Sequence, residues 1–271
     1  MPTKIASNAW IDPRAQIDEG VEIGPLCVVG AGARIGAGTR LANSVTLMGR
    51  VDLGRDNVGY PGSVLGGEPQ DISYTGTETL VEIGDNNIIR EGVTVNRATE
   101  KEDGVTRIGS NNYLMAAAHV AHDCKLGDGI IIANGTMLGG HVHVHDKASI
   151  SGAVAVHHYS TIGSYSFIGG LSRVLHDVAP YMLREGSPAR PRCINIVALK
   201  RNSFDPQDIN CLAEAHRRIY RSKVGGNAAH DVLASAEKIT PSVKRLFEFI
   251  DRQAEGRHGR GRDGRQRAAA A

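Results

Sequence analysis

Aromatic side chains are scarce in this chain: one Trp, four Phe and seven Tyr make up 4% of its 271 residues. A core without rings has to be filled by aliphatic side chains set in a regular lattice. Cysteine is scarce as well. Cys27, Cys124, Cys193 and Cys211 form no CxxC pair, which argues against a zinc site built on them and against a disulfide framework, and fits a reducing compartment. No apolar run approaches the roughly 20 residues of a membrane span. The opening MPTKIASNAWIDPRAQI has no apolar signal core. We therefore expect a soluble cytoplasmic protein with no membrane span. A net charge of +2 gives no bulk electrostatic case for nucleic acid.

What the chain has in quantity is glycine, 33 residues, and a period of six. Every sixth residue from Ile5 is aliphatic: Ile5, Ile11, Ile17, Ile23, Val29, Ile35, Leu41, Leu47, Leu53. The register fades between Asp56 and Leu80 and returns at Ile83, Ile89 and Val95. An insertion near residues 97–107 shifts the phase by one. From Ile108 the series runs unbroken through Leu114, Val120, Leu126, Ile132, Leu138, Val144, Ile150, Val156, Ile162 and Ile168 to Val174. A helical period of 3.6 cannot hold an aliphatic residue at every sixth place. Such a period is the mark of a stacked solenoid. Three hexads make one triangular coil of 18 residues, with aliphatic side chains turned inward and parallel strands stacked about 4.8 Å apart. A β-sandwich with regular turns would not keep this phase.

The period ends near Val174. Beyond it, residues 206–222, 228–238 and 241–254 read as helices, with Asp205-Pro206 and Thr240-Pro241 as start signals. We expect three parts: a prism over residues 1–190, a helical domain over 191–255, and a basic, disordered tail over 256–271.

Histidines crowd the second half of the prism. With 18 residues as a ruler, His122, Gly140, His158 and His176 form one ladder, and Asp123, His141 and Tyr159 form the next. These positions follow the inward residue by two or three places, so both ladders are expected to face outward. An imidazole, a carboxylate and an open backbone amide suit acyl transfer. His122 can act as general base, Asp123 can orient its ring, and the Gly140 N–H can hold an oxyanion. No Ser or Cys nucleophile is paired with them, so direct transfer is the simpler route. His143 and His176 read as solvated surface residues. The alternation of His141, His143 and His145 also raises a zinc site, but the spacing does not match three ligands gathered from different coils. No metal and no cofactor are expected.

Several segments carry a resemblance to a known family: LMAAAHVAHDCKLGDGIIIANGTMLGGHVHV (114–144), GGEPQDISY (66–74), GDNNIIREGVTVNRAT (84–99), GAVAVHHYSTIGSYSFIGG (152–170) and INIVALKRNSF (194–204). They resemble the UDP-N-acetylglucosamine O-acyltransferases of lipid A biosynthesis, over nearly the whole chain, and the AHDC segment with the downstream GGH is the most specific part. The resemblance implies a left-handed parallel β-helix of hexapeptide repeats with a C-terminal α-helical domain, assembled as a homotrimer with active sites between subunits. It implies transfer of a 3-hydroxyacyl chain from acyl carrier protein to UDP-N-acetylglucosamine, with His122, Asp123 and Gly140 as the catalytic set. Asp71, His119, His141, His157 and His158 would bind substrate, Gly170 would leave the acyl groove open for a longer chain, and Asn195 and Arg201 would hold the nucleotide and phosphates. Lys200, Arg201, Arg217 and Arg218 are docking charges for the acidic carrier. The chain departs from the family's pattern at Ser73 (often Lys), His158 (usually Gln), Val197 (commonly Glu) and Asn96-Arg97-Ala98 (His-Arg-Gly). These departures keep a 3-amino sugar nucleotide open as acceptor. The sister N-acyltransferase carries an additional N-terminal domain, whereas here the repeats begin at Ile5. A non-catalytic scaffold would have no need of His122.

Overall fold

Two residues make a strand here, an outward one followed by an inward aliphatic one: Lys4–Ile5, Trp10–Ile11, Gln16–Ile17. A computed structural model of the chain describes residues 2–222, 226–236 and 238–264. The strands stack into three sheets of eleven, nine and eight strands, each neighbour coming from the next coil rather than from the next strand in sequence. Pairing inside the prism is parallel and keeps the 18-residue ruler, as in Lys4 with Glu22, Trp10 with Val28 and Gln16 with Arg34.

Two excursions lengthen the ruler. Across residues 68–79 the offset becomes 30, as in Val58 with Ile88. Across residues 97–104 it becomes 25, as in Thr94 with His119. The first preserves the phase of six and the second shifts it by one, which accounts for the insertion seen in the sequence. The register does not in fact fade at Asp56 but runs on to Gly67. Strands Val58–Gly59 and Val64–Gly67 continue the coil, with Gly59 in an inward place. A Cβ on Gly59 would stand 3.1 Å from Leu41 Cδ2, so the leucine of the coil below already fills that space.

The inward residues form one continuous aliphatic core from Val21 to Val178. Fully burying one such side chain contributes about 1.5–3 kcal/mol. Among the polar side chains that enter the interior is a chain of amides. Asn57 Oδ1 accepts from Asn87 N and Nδ2, Asn87 Oδ1 from Asn112 N, and Asn112 Oδ1 from Ile130 N. Each amide satisfies a backbone donor of the next coil, which is what permits its burial.

The strand Met182–Glu185 turns back antiparallel onto Arg190–Ile194, so the sheet runs a few residues past the expected boundary at 190. Helices follow: α1 (Ile196–Arg201), α2 (Pro206–His216), α3 (Gly226–Ser235) and α4 (Pro241–Ala254). Helix α1 carried no signal in the sequence. Asp205 and Thr240 cap α2 and α4, each ahead of a proline at the first helical position. Half of the scarce aromatics lie in this second core with Leu199 and Leu212, and there Phe204 stands edge-on to Tyr165 and Tyr181, which stack on each other.

The tail corrects one expectation. Residues 256–264 are ordered and lie against the wall of the prism as a strap, with Arg260 buried. Their polar groups meet fixed partners: Arg260 Nη1 donates to Leu175 O at 2.8 Å and Gly261 N to Asp177 Oδ2 at 2.7 Å. Composition misled because it counts arginines as solvated charge and cannot see carbonyls waiting on a wall. Residues 265–271, the rest of that tail, lie outside the described residues.

The register makes a direct test. Ile150→Ala removes an inward side chain and is expected to cost about 2–5 kcal/mol in urea unfolding. Ser149→Ala, its outward neighbour on the same two-residue strand, should stay within about 0.5 kcal/mol.

Candidate active site

At most corners of the prism one residue takes a left-handed backbone conformation. Asp123, His141 and Tyr159 do so one coil apart, each with φ of +61°, a region where Asp, His and Asn are better tolerated than most residues. The corner therefore puts His122 beside Asp123, with Gly140 and His141 one coil above.

The ladder is not outward-facing as expected. Asp123 is 0% exposed and His141 3%. The excursion at residues 97–104 folds over this corner and covers both. Thr99 donates its backbone N–H to both carboxylate oxygens of Asp123 at 3.1 Å, and its hydroxyl to Oδ2 at 2.8 Å. These donors make a buried carboxylate tolerable. Asp123 Oδ2 also meets His122 Nδ1 at 2.8 Å, which directs Nε2 of that ring outward as the proton acceptor. The same Oδ2 lies 3.7 Å from His141 Nε2. His141 stands edge-on to His122, with ring centroids 5.2 Å apart, and stacks on Tyr159 at 4.4 Å.

Gly140 is required by packing. A Cβ there would lie 2.5 Å from His122 Cε1 and 2.7 Å from Nε2, so any side chain would push the imidazole aside. The neighbouring amides are used, His141 N donating to His122 O and Tyr159 N to Gly140 O. The Gly140 N–H has no partner among the described residues and is left for a ligand.

A recess of about 380 Å³ opens over this corner. It is lined by Asp71, His122, Gly140, His141 and His158, all expected from the sequence, together with Gln70, Ile72, Lys101 and Tyr159. Lys101 Nζ reaches Asp71 Oδ2 at 2.5 Å, while Ser73 donates its N–H and its hydroxyl to Oδ1. The Lys101 bond holds the Asp71 carboxyl far below the usual carboxylate range. His158 lies in the lining, its pKa lowered by burial and by His157, whose ring is 3.9 Å away. Burial raises the Tyr159 phenol to about 12.

The remaining predicted residues lie outside this lining. His119 Nδ1 contacts Thr94 Oγ1 at 2.8 Å one coil below, and burial lowers its pKa. His157 is tied to the His158 carbonyl at 3.0 Å. Gly170 is exposed, and a Cβ there would meet only ordinary contacts at 3.5 Å or more. Asn195 is 7% exposed and its side chain is spent on structure: Oδ1 caps α1 through Ala198 N, and Nδ2 donates to Tyr165 O. Arg201 ends α1. Nor is His143 a solvated residue: burial drives its pKa down to about 3, and its Nε2 is enclosed. His176 is bound by the strap, its Nδ1 meeting His258 O at 2.6 Å. Thr99, Lys101 and Glu102 escaped the sequence reading because they sit in the excursion, where the 18-residue ruler does not apply.

Ligating atoms of His122, Asp123 and His141 lie within 4.8 Å of one another, and within that cluster the contact at 2.8 Å pairs His122 Nδ1 with Asp123 Oδ2. The set can take a proton at His122 Nε2 and stabilise negative charge at Gly140 N.

Comparison with known proteins gives the family. Residues 177–261 match the family described as Udp N-acetylglucosamine O-acyltransferase, domain 2, and residues 2–37 and 106–140 match the bacterial transferase hexapeptide family. The chain is 43% identical over 226 residues to an acyl-[acyl-carrier-protein]–UDP-N-acetylglucosamine O-acyltransferase of Synechocystis sp., covering 79% of this chain and 78% of that one. It is 38% identical over 256 residues to the protein of the same name from Herminiimonas arsenicoxydans, covering 93% and 98%. A solved UDP-N-acetylglucosamine acyltransferase from Bacteroides fragilis superposes with a TM-score of 0.87 at 35% identity, covering 91% and 96%. The prism is thus a left-handed parallel β-helix.

Gly140→Ala should leave the melting temperature within a few degrees of wild type while lowering the catalytic rate at least about a hundredfold, since a displaced base and a blocked amide are lost together. Activity and calorimetry on one preparation check both halves.

Proposed function

The chain belongs to the acyl-[acyl-carrier-protein]–UDP-N-acetylglucosamine O-acyltransferases, and from that premise we propose how its residues carry out the transfer. The reaction moves a 3-hydroxyacyl chain from acyl carrier protein to the 3-hydroxyl of UDP-N-acetylglucosamine, the first step of lipid A biosynthesis. The 3-amino acceptor is not favoured.

The observation that carries the mechanism is the His122–Asp123 pair at 2.8 Å with Gly140 packed on the imidazole. His122 Nε2 takes the proton of the acceptor 3-hydroxyl as its oxygen attacks the thioester carbonyl. Asp123 supports the imidazolium so formed. The Gly140 N–H holds the oxyanion. Collapse of the tetrahedral intermediate breaks the carbon–sulfur bond, and His122 returns the proton to the departing thiolate of the carrier. A positioned base is worth about 10²–10⁴ in rate, and an oxyanion donor about 10²–10³.

Asp71, His119, His141, His157, His158, Asn195 and Arg201 are assigned to substrate binding, with Gly170 bordering the acyl groove. Asn195 can act there through its backbone or through the helix it caps, since its side chain is engaged. Lys101 joins them. It supplies a cation beside Asp71 where relatives often carry a lysine at the position of Ser73. Lys200, Arg201, Arg217 and Arg218 are assigned to docking of the acidic carrier. We assign a homotrimer to the working protein. Its support is the outward ladder Ile88, Tyr113, Ile131, Ser149, Phe167 on one sheet, where Ile88 and Ile131 are 40% and 41% exposed. Among the described residues no helix is long and apolar enough to cross a membrane, and we assign the protein to the cytoplasm.

Incubation with 3-hydroxyacyl carrier protein and UDP-N-acetylglucosamine is expected to give the 3-O-acylated product, and His122→Ala to lose at least about 10²-fold in kcat. Product without His122 would remove the general-base assignment. Lys101→Ala should raise KM for the nucleotide sugar about tenfold, the loss of one charge-assisted hydrogen bond. Adding Ser73→Lys to that variant should recover most of the loss; no recovery would show that Lys101 does not fill this place.

A further inference from the structure

We propose that the C-terminal strap, residues 256–264, is a working part of the catalytic centre, in which Arg262 and Glu102 are positioning residues that hold His141 against Asp123 and His122. The inference rests on the reading of His122 as base.

The strap is fastened upstream of Arg262. Asp177 N donates to Gly259 O at 2.8 Å, Gly261 N returns a bond to Asp177 Oδ2 at 2.7 Å, and Gln253 Nε2 donates to Gly259 O at 2.9 Å. Arg260 binds the Leu175 carbonyl on one side and Asp263 on the other. Gly259 has φ of +66°, and a Cβ on it would lie 3.1 Å from the His176 ring, so glycine lets the strap lie flat. These contacts suffice to hold the segment down.

Arg262 goes further, into the catalytic corner. Its Nη1 donates to His141 O at 2.5 Å and its Nη2 to Glu102 Oε1 at 2.8 Å. The same Glu102 oxygen meets His141 Nδ1 at 3.1 Å. One planar guanidinium thus grips His141 twice, directly at its carbonyl and through Glu102 at its ring. A lysine ammonium lacks that fork. Burial opposes the ionisation of Glu102, but the His141 bond and the Arg262 charge outweigh it and keep its pKa below the usual value.

The consequence reaches the base. With Nδ1 committed to Glu102, His141 turns Nε2 toward Asp123 Oδ2, the atom that orients His122, and its ring forms the wall on which the His122 edge rests. Tyr159 closes the opposite face of His141. Arg262, Glu102, His141, Asp123 and His122 form one connected run that joins residue 262 to residue 122. A misplacement of about 1 Å in such a centre can cost 10²-fold in rate.

Double-mutant analysis in the full chain tests this, using the acyl-transfer assay with the wild type and His122→Ala alongside. Arg262→Ala and Glu102→Gln are each expected to lower kcat/KM about tenfold or more, with melting temperatures within a few degrees of wild type. The double variant should lose no more than the worse single one, because the two act as a unit. Millimolar guanidinium chloride, far below denaturing concentrations, should restore part of the Arg262→Ala rate and none of the Glu102→Gln rate. Arg262→Lys should fall between wild type and Arg262→Ala. Wild-type rates in Arg262→Ala, losses that multiply in the double variant, or no rescue by guanidinium would each overturn the proposal and leave the strap a cover for the wall. An inactive wild type, or an active His122→Ala, would instead remove the reading beneath it.

Discussion

Coil-to-coil stacking is the constraint on which this protein depends. Each two-residue strand hydrogen-bonds only to its counterparts in the coils above and below, and each inward aliphatic side chain rests on its equivalents there. No strand holds its place through length. Position along the prism axis is therefore set in steps of one coil, and residues 18 apart in sequence become neighbours in space. His122, Gly140 and His158 are brought together by nothing more than this step. Gly140 packs against the imidazole because the backbone of one coil lies directly over the corner of the last.

A regular prism has regular walls, and a pocket needs a break in them. The chain provides two, at residues 68–79 and 97–104. The first carries Gln70, Asp71 and Ile72 and the second carries Lys101, so that four of the nine residues lining the recess lie outside the repeat. Their cost to the prism is small, because each excursion leaves from and returns to the same stacking interval. The coil beyond the first keeps its phase of six, and the coil beyond the second resumes after a single shift.

Electrostatics explains why the second excursion lies where it does. Burying Asp123 beneath a loop would be unfavourable by several kcal/mol if the carboxylate were left without donors. Thr99 provides a backbone N–H and a hydroxyl, and the imidazoles of His122 and His141 face the same oxygen. The loop that removes water from the carboxylate is thus the one that replaces it. Enclosure also strengthens the hydrogen bond between Asp123 and His122, since its electrostatic part is screened less away from bulk water.

The fold class is legible in the period of six, because only a triangular coil gives an aliphatic residue at every sixth place a common interior. The same ruler found His122, Asp123, Gly140, His141 and His158, since their spacing is the spacing of the coils. It could not find burial. Asp123 and His141 follow inward residues by a fixed count, which gives their direction within the coil but not whether a loop lies over them. The motif that contains Asn195 does not show that its side chain caps α1, a role set by where that helix starts. The strap was read as disorder because arginine and glycine pack poorly on their own, and its order comes from carbonyls and an aspartate on a wall some 85 residues away in sequence. Sequence alone determined what repeats, for repetition is local and counts along the chain. Tertiary structure decided what closes over the repeat, for the contacts of residues 97–104 and 256–264 depend on surfaces that exist only once the coils are stacked.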